Sequence, residues 1–284
     1  MSTGHSRSAY EPLPPRRPPW LFLFGGLLAA GLLAALYRAA GGDFGQLLRS
    51  LDERQQGATR SGDGRMETQD LPESVARLLT DADEFWRGRD LETAFGYESP
   101  RVTAFYGNLE TPCHEGQLAT GPFYCFVDER ICYDVAFVDE LVTRFAAAGE
   151  LARAYLVGHL IAHHVQTRQG TTDRVRDQNM LPTTSAPERR RLKLQLELQA
   201  DYFAGVWAQH SPEFRRLLAE SNLEEALKAV ETLINERDSL KASGQVVVPE
   251  SFAEGQHSQR LHWFQLGYDS GQMRGHDPFE TTEH

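Results

Sequence analysis

Two pairs of residues, each pair four positions apart, carry the chemistry this sequence could perform. His159 and His163 fall within Leu151 to Arg168, LARAYLVGHLIAHHVQTR. On a helix that spacing puts both imidazoles on one face, one turn above the other, which is how two histidines share a zinc ion. Glu197 and Asp201 repeat the spacing in LELQADYFAGVW. A carboxylate is a suitable third zinc ligand, and a second one can orient a ligand imidazole from outside the ligand set. The histidine pair alone is weak evidence, since histidines also pack or solvate on apolar helices without holding anything. The carboxylate pair is what favours a metal. His164 adds little, and His5, His210, His257, His262, His276 and His284 have no partner that would make them ligands, although His257 stands close to Glu254.

The elements that must position these residues are mostly helical. From Val138 onward the pattern suits helix almost to the end of the chain, with breaks near Gly149, Gly170, Ser211-Pro212 and Gly244. The carboxylate segment resists this reading. Leu192, Leu194, Leu196 and Leu198 alternate with Lys193, Gln195, Glu197 and Gln199, which argues a strand, whereas Leu, Lys, Gln and Glu favour helix, so pattern leaves both open. Upstream, Val75, Leu78, Leu79, Ala82, Phe85 and Trp86 follow Pro72-Glu73 at helical intervals. Short aromatic and β-branched runs at Arg101 to Tyr106, Pro122 to Val127 and Ile131 to Val135 predict a small sheet. Phe123, Tyr124, Phe126, Phe203, Trp207, Trp263 and Phe264 are read as core, and Glu224, Glu225, Lys228 and Glu231 as a solvated helix face.

The whole chain sets the context. With 284 residues, 40% apolar and 24% charged, it is globular, and a net charge of -11 argues against nucleic-acid binding, which needs a cationic footprint. Its three cysteines rule out a disulfide-dense scaffold and a four-thiolate zinc site. Trp20 to Tyr37, WLFLFGGLLAAGLLAALY, has no charge and as a helix spans ~27 Å of a ~30 Å hydrocarbon layer. A cleaved signal peptide is the rival reading, but Leu36-Tyr37-Arg38 is a poor cleavage site and the run exceeds the usual apolar core. Arg7, Arg16 and Arg17 against Glu11 put the N-terminus in the cytoplasm and the rest outside. The expected order is a cytoplasmic tail 1–19, a transmembrane anchor 20–37, a polar tether 38–70, a folded domain 71–276 and a polar tail 277–284.

Several separated stretches resemble one family: GPFYC at Gly121 to Cys125, Tyr133-Asp134, AYLVGHLIAHHVQ at Ala154 to Gln166, LELQADYFAGVW at Leu196 to Trp207, VVPESF at Val247 to Phe252 and SQRLHWFQLGYDSG at Ser258 to Gly271. The sequence is similar to the bacterial YpfJ-like neutral zinc metallopeptidases, membrane-anchored members of the zincin class. The resemblance implies an α+β, mainly helical, zincin-like domain with a small sheet behind one N-terminal transmembrane helix, and a helix for Leu192 to Trp207. It also implies a Zn2+ site of His159, His163 and Glu197 with Asp201 outside it, and a Cys113–Cys125 bridge that leaves Cys132 unpaired.

The departures from the family matter as much. Its HExxH glutamate, the general base, is Leu160 here, and its His in a Ser-Phe-Thr-His-Gly-like stretch is Glu254. Tyr202 replaces a family cysteine. The resemblance therefore implies a protein at the inner membrane, facing the periplasm or exterior, that keeps zinc and holds a polypeptide client without cutting it. The alternatives are an active metallopeptidase with relocated acid-base groups, Glu254 among them, and a metal-free scaffold in which His159, His163 and Glu197 satisfy one another.

Overall fold

The computed structural model describes residues 71–91, 95–107, 109–110, 113, 118–241 and 257–280, all within the second of two units into which the chain divides, Gly62–His284. The expected anchor 20–37 with its flanks, Glu254, the break near Gly244 and residues 281–284 lie outside the described residues. Among those described, no helix is long and apolar enough to cross a membrane.

Helical periodicity builds α1 (Glu73–Trp86), whose Val75, Leu78, Leu79, Ala82 and Trp86 are buried while Phe85 sits at the margin. A π-helical turn, Arg87–Leu91, continues it. The chain then forms β1 (Arg101–Phe105), β2 (Leu109–Glu110), β3 (Leu118–Ala119), β4 (Phe123–Cys125) and β5 (Arg130–Asp134). The main sheet has the order β1-β5-β4, with β1 parallel and β4 antiparallel to β5. Strands β2 and β3 pair separately and are too short to show a period. One core assignment is corrected: Phe126 is exposed, because the β4–β5 ladder ends at Cys125 opposite Arg130 and Phe126 enters the turn beyond it.

Asp134 ends β5 and starts α2 (Val135–Arg168), its Oδ1 accepting from the Phe137 amide at 3.1 Å as an N-cap. The break expected near Gly149 falls at Ala146, where φ is 47° and α2 turns sharply into a second arm. Gly149 has another use: a Cβ there would collide with the Leu141 carbonyl, so it lets the arms touch. Gly170, in a left-handed conformation, leads into α3 (Thr171–Met180). Ser185 caps α4 (Ala186–His210) and Ser211 caps α5 (Pro212–Glu220), followed by α6 (Leu223–Lys241) and α7 (His257–Ser270).

The alternating leucines belong to α4. Burial there follows the helix, taking in Leu192, Gln195, Glu197, Leu198 and Gln199, while Leu194 and Leu196 are only half-buried. Helix α4 packs chiefly against α7 and the second arm of α2, with Phe203, Trp207, Trp263 and Phe264 buried in the core as read. Glu224, Glu225, Lys228 and Glu231 are exposed on α6. After α7 the chain returns across α4, where Gln195 Nε2 donates to the Pro278 carbonyl at 2.9 Å and Gln199 Nε2 to Asp277 Oδ1 at 3.1 Å. The start of the segment read as a polar tail is therefore docked.

Candidate metal centre

Small residues let the ligand-bearing helices meet. Gly158 precedes His159, and a Cβ on it would lie 2.6 Å from the Trp207 ring of α4. On the other side of α4, a Cβ on Gly205 or on Gly267 of α7 would strike a backbone oxygen of the facing helix. Helix α2 thus presents His159 and His163 to Glu197 and Asp201 of α4, and α7 brings Arg260 to the same place.

His159 Nε2 lies 3.0 Å from His163 Nε2 and 3.2 Å from Glu197 Oε2, and the last two atoms are 3.5 Å apart. Ligands on zinc bonds of ~2.0–2.1 Å in tetrahedral geometry stand ~3.3 Å from one another, so the triangle has the right size. All three residues are buried and their ligand atoms converge.

Hydrogen bonds behind the triangle settle which nitrogens face it. His159 Nδ1 is 2.9 Å from Asp201 Oδ1, an acceptor only, so Nδ1 carries the proton and donates it. Gln166 Nε2 donates to the Leu196 carbonyl at 2.7 Å, which turns its Oε1 to His163 Nδ1 at 3.0 Å and makes that nitrogen the donor. The two Nε2 atoms and the Glu197 oxygen are left as electron-pair donors facing each other. A proton can bridge one pair of them, whereas a cation satisfies all three.

The electrostatics favour the same use. Burial works against a charge on Asp201, but Arg260 and His159 outweigh it and hold the carboxyl down at about 2. Burial likewise opposes a charge on Glu197, and the imidazoles, His163 first, bring its carboxyl down to about 2. His159 is desolvated, yet Asp201 and Glu197 overcome this and make it more basic than an ordinary histidine, which suits an electron-pair donor. Arg260 Nε donates to Asp201 Oδ2 at 2.9 Å, and Tyr155 donates its hydroxyl to Oδ1. Arg260 Nη2 is 3.4 Å from His159 Nδ1 and 3.3 Å from Nε2. The same Nη2 stands 3.9 Å from Glu197 Oε2, so the guanidinium borders the triangle beside two of its three donor atoms.

Every described site residue foreseen in the sequence is accounted for. His159, His163, Glu197 and Asp201 come together; Leu160 is fully buried within the main core. Cys113 and Cys125 are bridged, and Cys132 is buried and unpaired. His164 faces elsewhere, its Nε2 donating to the Glu98 carbonyl at 2.7 Å and its Nδ1 accepting from Tyr124 at 3.0 Å. Tyr124, half-buried on β4, also lays its ring parallel to that of His163 with centroids 6.4 Å apart. Sequence reasoning missed Tyr155, Gln166, Gln199 and Arg260. Gln166 stands three residues beyond His163, a helical-face signal that was available; nothing in spacing marks Arg260.

A mainly helical domain that closes a helix-borne histidine pair with a glutamate from a second helix, backed by an aspartate, offers a buried three-residue group that could hold a metal ion. The chain belongs to the family described as "Putative neutral zinc metallopeptidase", which matches residues 23–279. It is 34% identical over 245 residues to "Uncharacterized protein YpfJ" of Escherichia coli (strain K12), covering 86% of this chain and 82% of that one. It is 30% identical over 198 residues to "Uncharacterized protein Rv2575" of Mycobacterium tuberculosis (strain ATCC 25618 / H37Rv), covering 66% of this chain and 65% of that one. No solved structure matches it.

Proposed function

We propose that this protein is a zinc-holding, polypeptide-binding member of its family that has lost peptidase activity, anchored in the inner membrane by residues 20–37 with its domain outside the cytoplasm. The observation that carries the reading is a contrast within one helix turn. His159 and His163 have their outer nitrogens committed to Asp201 and Gln166, as ligands need, while the residue between them at the family's base position is the fully buried Leu160. Zinc bound here would polarise a carbonyl and acidify a water. Leucine can neither accept that water's proton nor pass one to a leaving amine. Both carboxylates that the described residues bring to the centre are already engaged, Glu197 toward the metal and Asp201 with His159, Tyr155 and Arg260.

An edge strand supports the binding half of the reading. Among the described residues β4 pairs on one side only, with β5, and its Tyr124 lies against His163. An extended polypeptide added to that edge would pass the metal ligands, with main-chain hydrogen bonds supplying affinity.

Zinc content and melting temperature of the purified chain, with and without a chelator, test the metal. One zinc per chain is expected, and zinc a hundredfold above its dissociation constant should add ~2.7 kcal/mol of stability. Casein hydrolysis tests the chemistry, with no more than a trace expected. A chain without zinc and without a melting shift is a scaffold; robust zinc-dependent hydrolysis makes it a working peptidase with relocated acid-base groups. Either result overturns the proposal.

A further inference from the structure

We infer that the docked turn at Asp277 and Pro278 is the outer end of a hydrogen-bonded relay that orients His163 for the metal, with Gln166, Gln199 and Asp277 as positioning residues. This rests on the reading that His159, His163 and Glu197 hold zinc. His159 has a carboxylate directly behind it. His163 has only an amide, and that amide is the first of two.

The relay has one direction. Gln166 is fully buried, and its Nε2 donates to the Leu196 carbonyl at 2.7 Å and to Gln199 Oε1 at 3.1 Å. Its Oε1 therefore accepts from His163 Nδ1 at 3.0 Å. Gln199, having given its oxygen to Gln166, turns Nε2 to Asp277 Oδ1 at 3.1 Å, an oxygen that also accepts from the Phe279 amide at 3.0 Å. Each member donates outward until a carboxylate ends the chain. Reversing either amide would set its oxygen against another acceptor, the Leu196 carbonyl or Asp277, which a buried polar group does not tolerate without cost. The His163 tautomer that leaves Nε2 bare is thus fixed from the far end of the sequence.

Holding the turn in place is a separate task with separate contacts. Gln195 Nε2 donates to the Pro278 carbonyl at 2.9 Å, Pro278 is buried, and the Arg174 guanidinium lies 5.5 Å from the Phe279 ring centroid. Docking and relay can therefore be broken independently. Outer partners of metal-bound histidines change affinity ~10–100-fold when removed, which is the scale expected here.

The test uses the full-length chain, with zinc affinity read by competition against a chromophoric chelator and the His163 tautomer read by ring-nitrogen NMR on the metal-free protein. Gln199→Leu and Asp277→Ala should weaken zinc ~10–100-fold and mix the tautomers. Asp277→Asn, which still offers an acceptor, should recover most of the affinity lost in Asp277→Ala. Gln195→Leu, which removes the Pro278 contact and none of the relay's own members, should leave the tautomer unchanged and affinity within about threefold. The relay is overturned if Gln199→Leu changes neither readout, or if Gln195→Leu weakens zinc as much as Gln199→Leu does. A wild-type chain that binds no zinc but shows the expected tautomer change in Gln199→Leu refutes the metal reading and upholds the relay.

Discussion

At Leu160 the proposed loss of peptidase activity comes down to one side chain. It follows His159 on α2 and is fully buried in the main core. Leu160→Glu therefore has two expected effects. In the metal-free chain a buried, unpaired carboxyl should destabilise by a few kcal/mol, about 2 to 5; zinc should restore part of that by pairing with the new charge. Casein hydrolysis should rise above the wild-type trace, and adding Glu254→His should raise it further by supplying the second family group. A wild-type zinc-dependent activity that Leu160→Glu lowers would show that the chemistry runs on other residues. Cys132 is the opposite case, a reactive group made inert. Burial pushes its thiol up to about 12, with Asp128 adding to the effect. At pH 8 its thiolate should be ~10³-fold or more scarcer than that of an exposed cysteine, so iodoacetamide labelling of the native chain should be slower by a similar factor. Because the folded thiol holds its proton more tightly, its contribution to stability is complete below the unfolded value and declines as pH rises toward 12. Fast labelling at neutral pH without unfolding would contradict this.

Among the elements, the close approach of α2 and α4 decides whether the four site residues meet. Gly158 makes that approach possible, and the Trp207 ring it faces cannot move aside easily, being buried with Nε1 donating to Asp81 at 2.9 Å. Gly158→Ala should therefore destabilise by ~1–3 kcal/mol through overpacking and also weaken zinc, because the ligand helices are forced apart. Denaturant unfolding and chelator competition check the two effects separately; unchanged zinc affinity would mean that the site does not depend on this contact. What the sequence disclosed follows from range. His159 with His163, and Glu197 with Asp201, were legible because each pair is internal to one helix, and the period of α1 and the break between α4 and α5 are equally local, whereas pattern left 192–199 open and the helix there followed only from the family resemblance. Tyr155, Gln199 and Arg260 act through partners on other elements, which no spacing encodes. The leucine alternation at 192–198 misdirects for a related reason: polar Glu197 and Gln199 are buried at the site and Gln195 under the docked turn, so burial departs from polarity.

For the molecule as a whole, the compartment must agree with the chemistry, and the bridge at Cys113–Cys125 supplies a readout independent of any membrane assay. The bridged residues are 12 apart, a loop whose closure stabilises by ~3 kcal/mol in the chain-entropy view, so reduction should lower the melting temperature. A disulfide of this kind persists outside the reducing cytoplasm. Arg7, Arg16 and Arg17 ahead of the uncharged run at 20–37 argue for the same side. The two lines make one joint prediction. In a bacterial host the full chain should stay with membranes after an alkaline carbonate wash, a phosphatase reporter fused after residue 60 should be active, and rapid thiol trapping should find Cys113 and Cys125 oxidised with Cys132 reduced. Replacing Arg7, Arg16 and Arg17 with Glu should weaken the reporter signal and the oxidised fraction together, because both depend on which way the segment inserts. If the bridge forms while the chain is recovered from the soluble periplasm, residues 20–37 are a cleaved leader and the anchor is wrong. A soluble chain with all thiols reduced would overturn both the anchor and the compartment, and with them the placement of any polypeptide client outside the cell's cytoplasm.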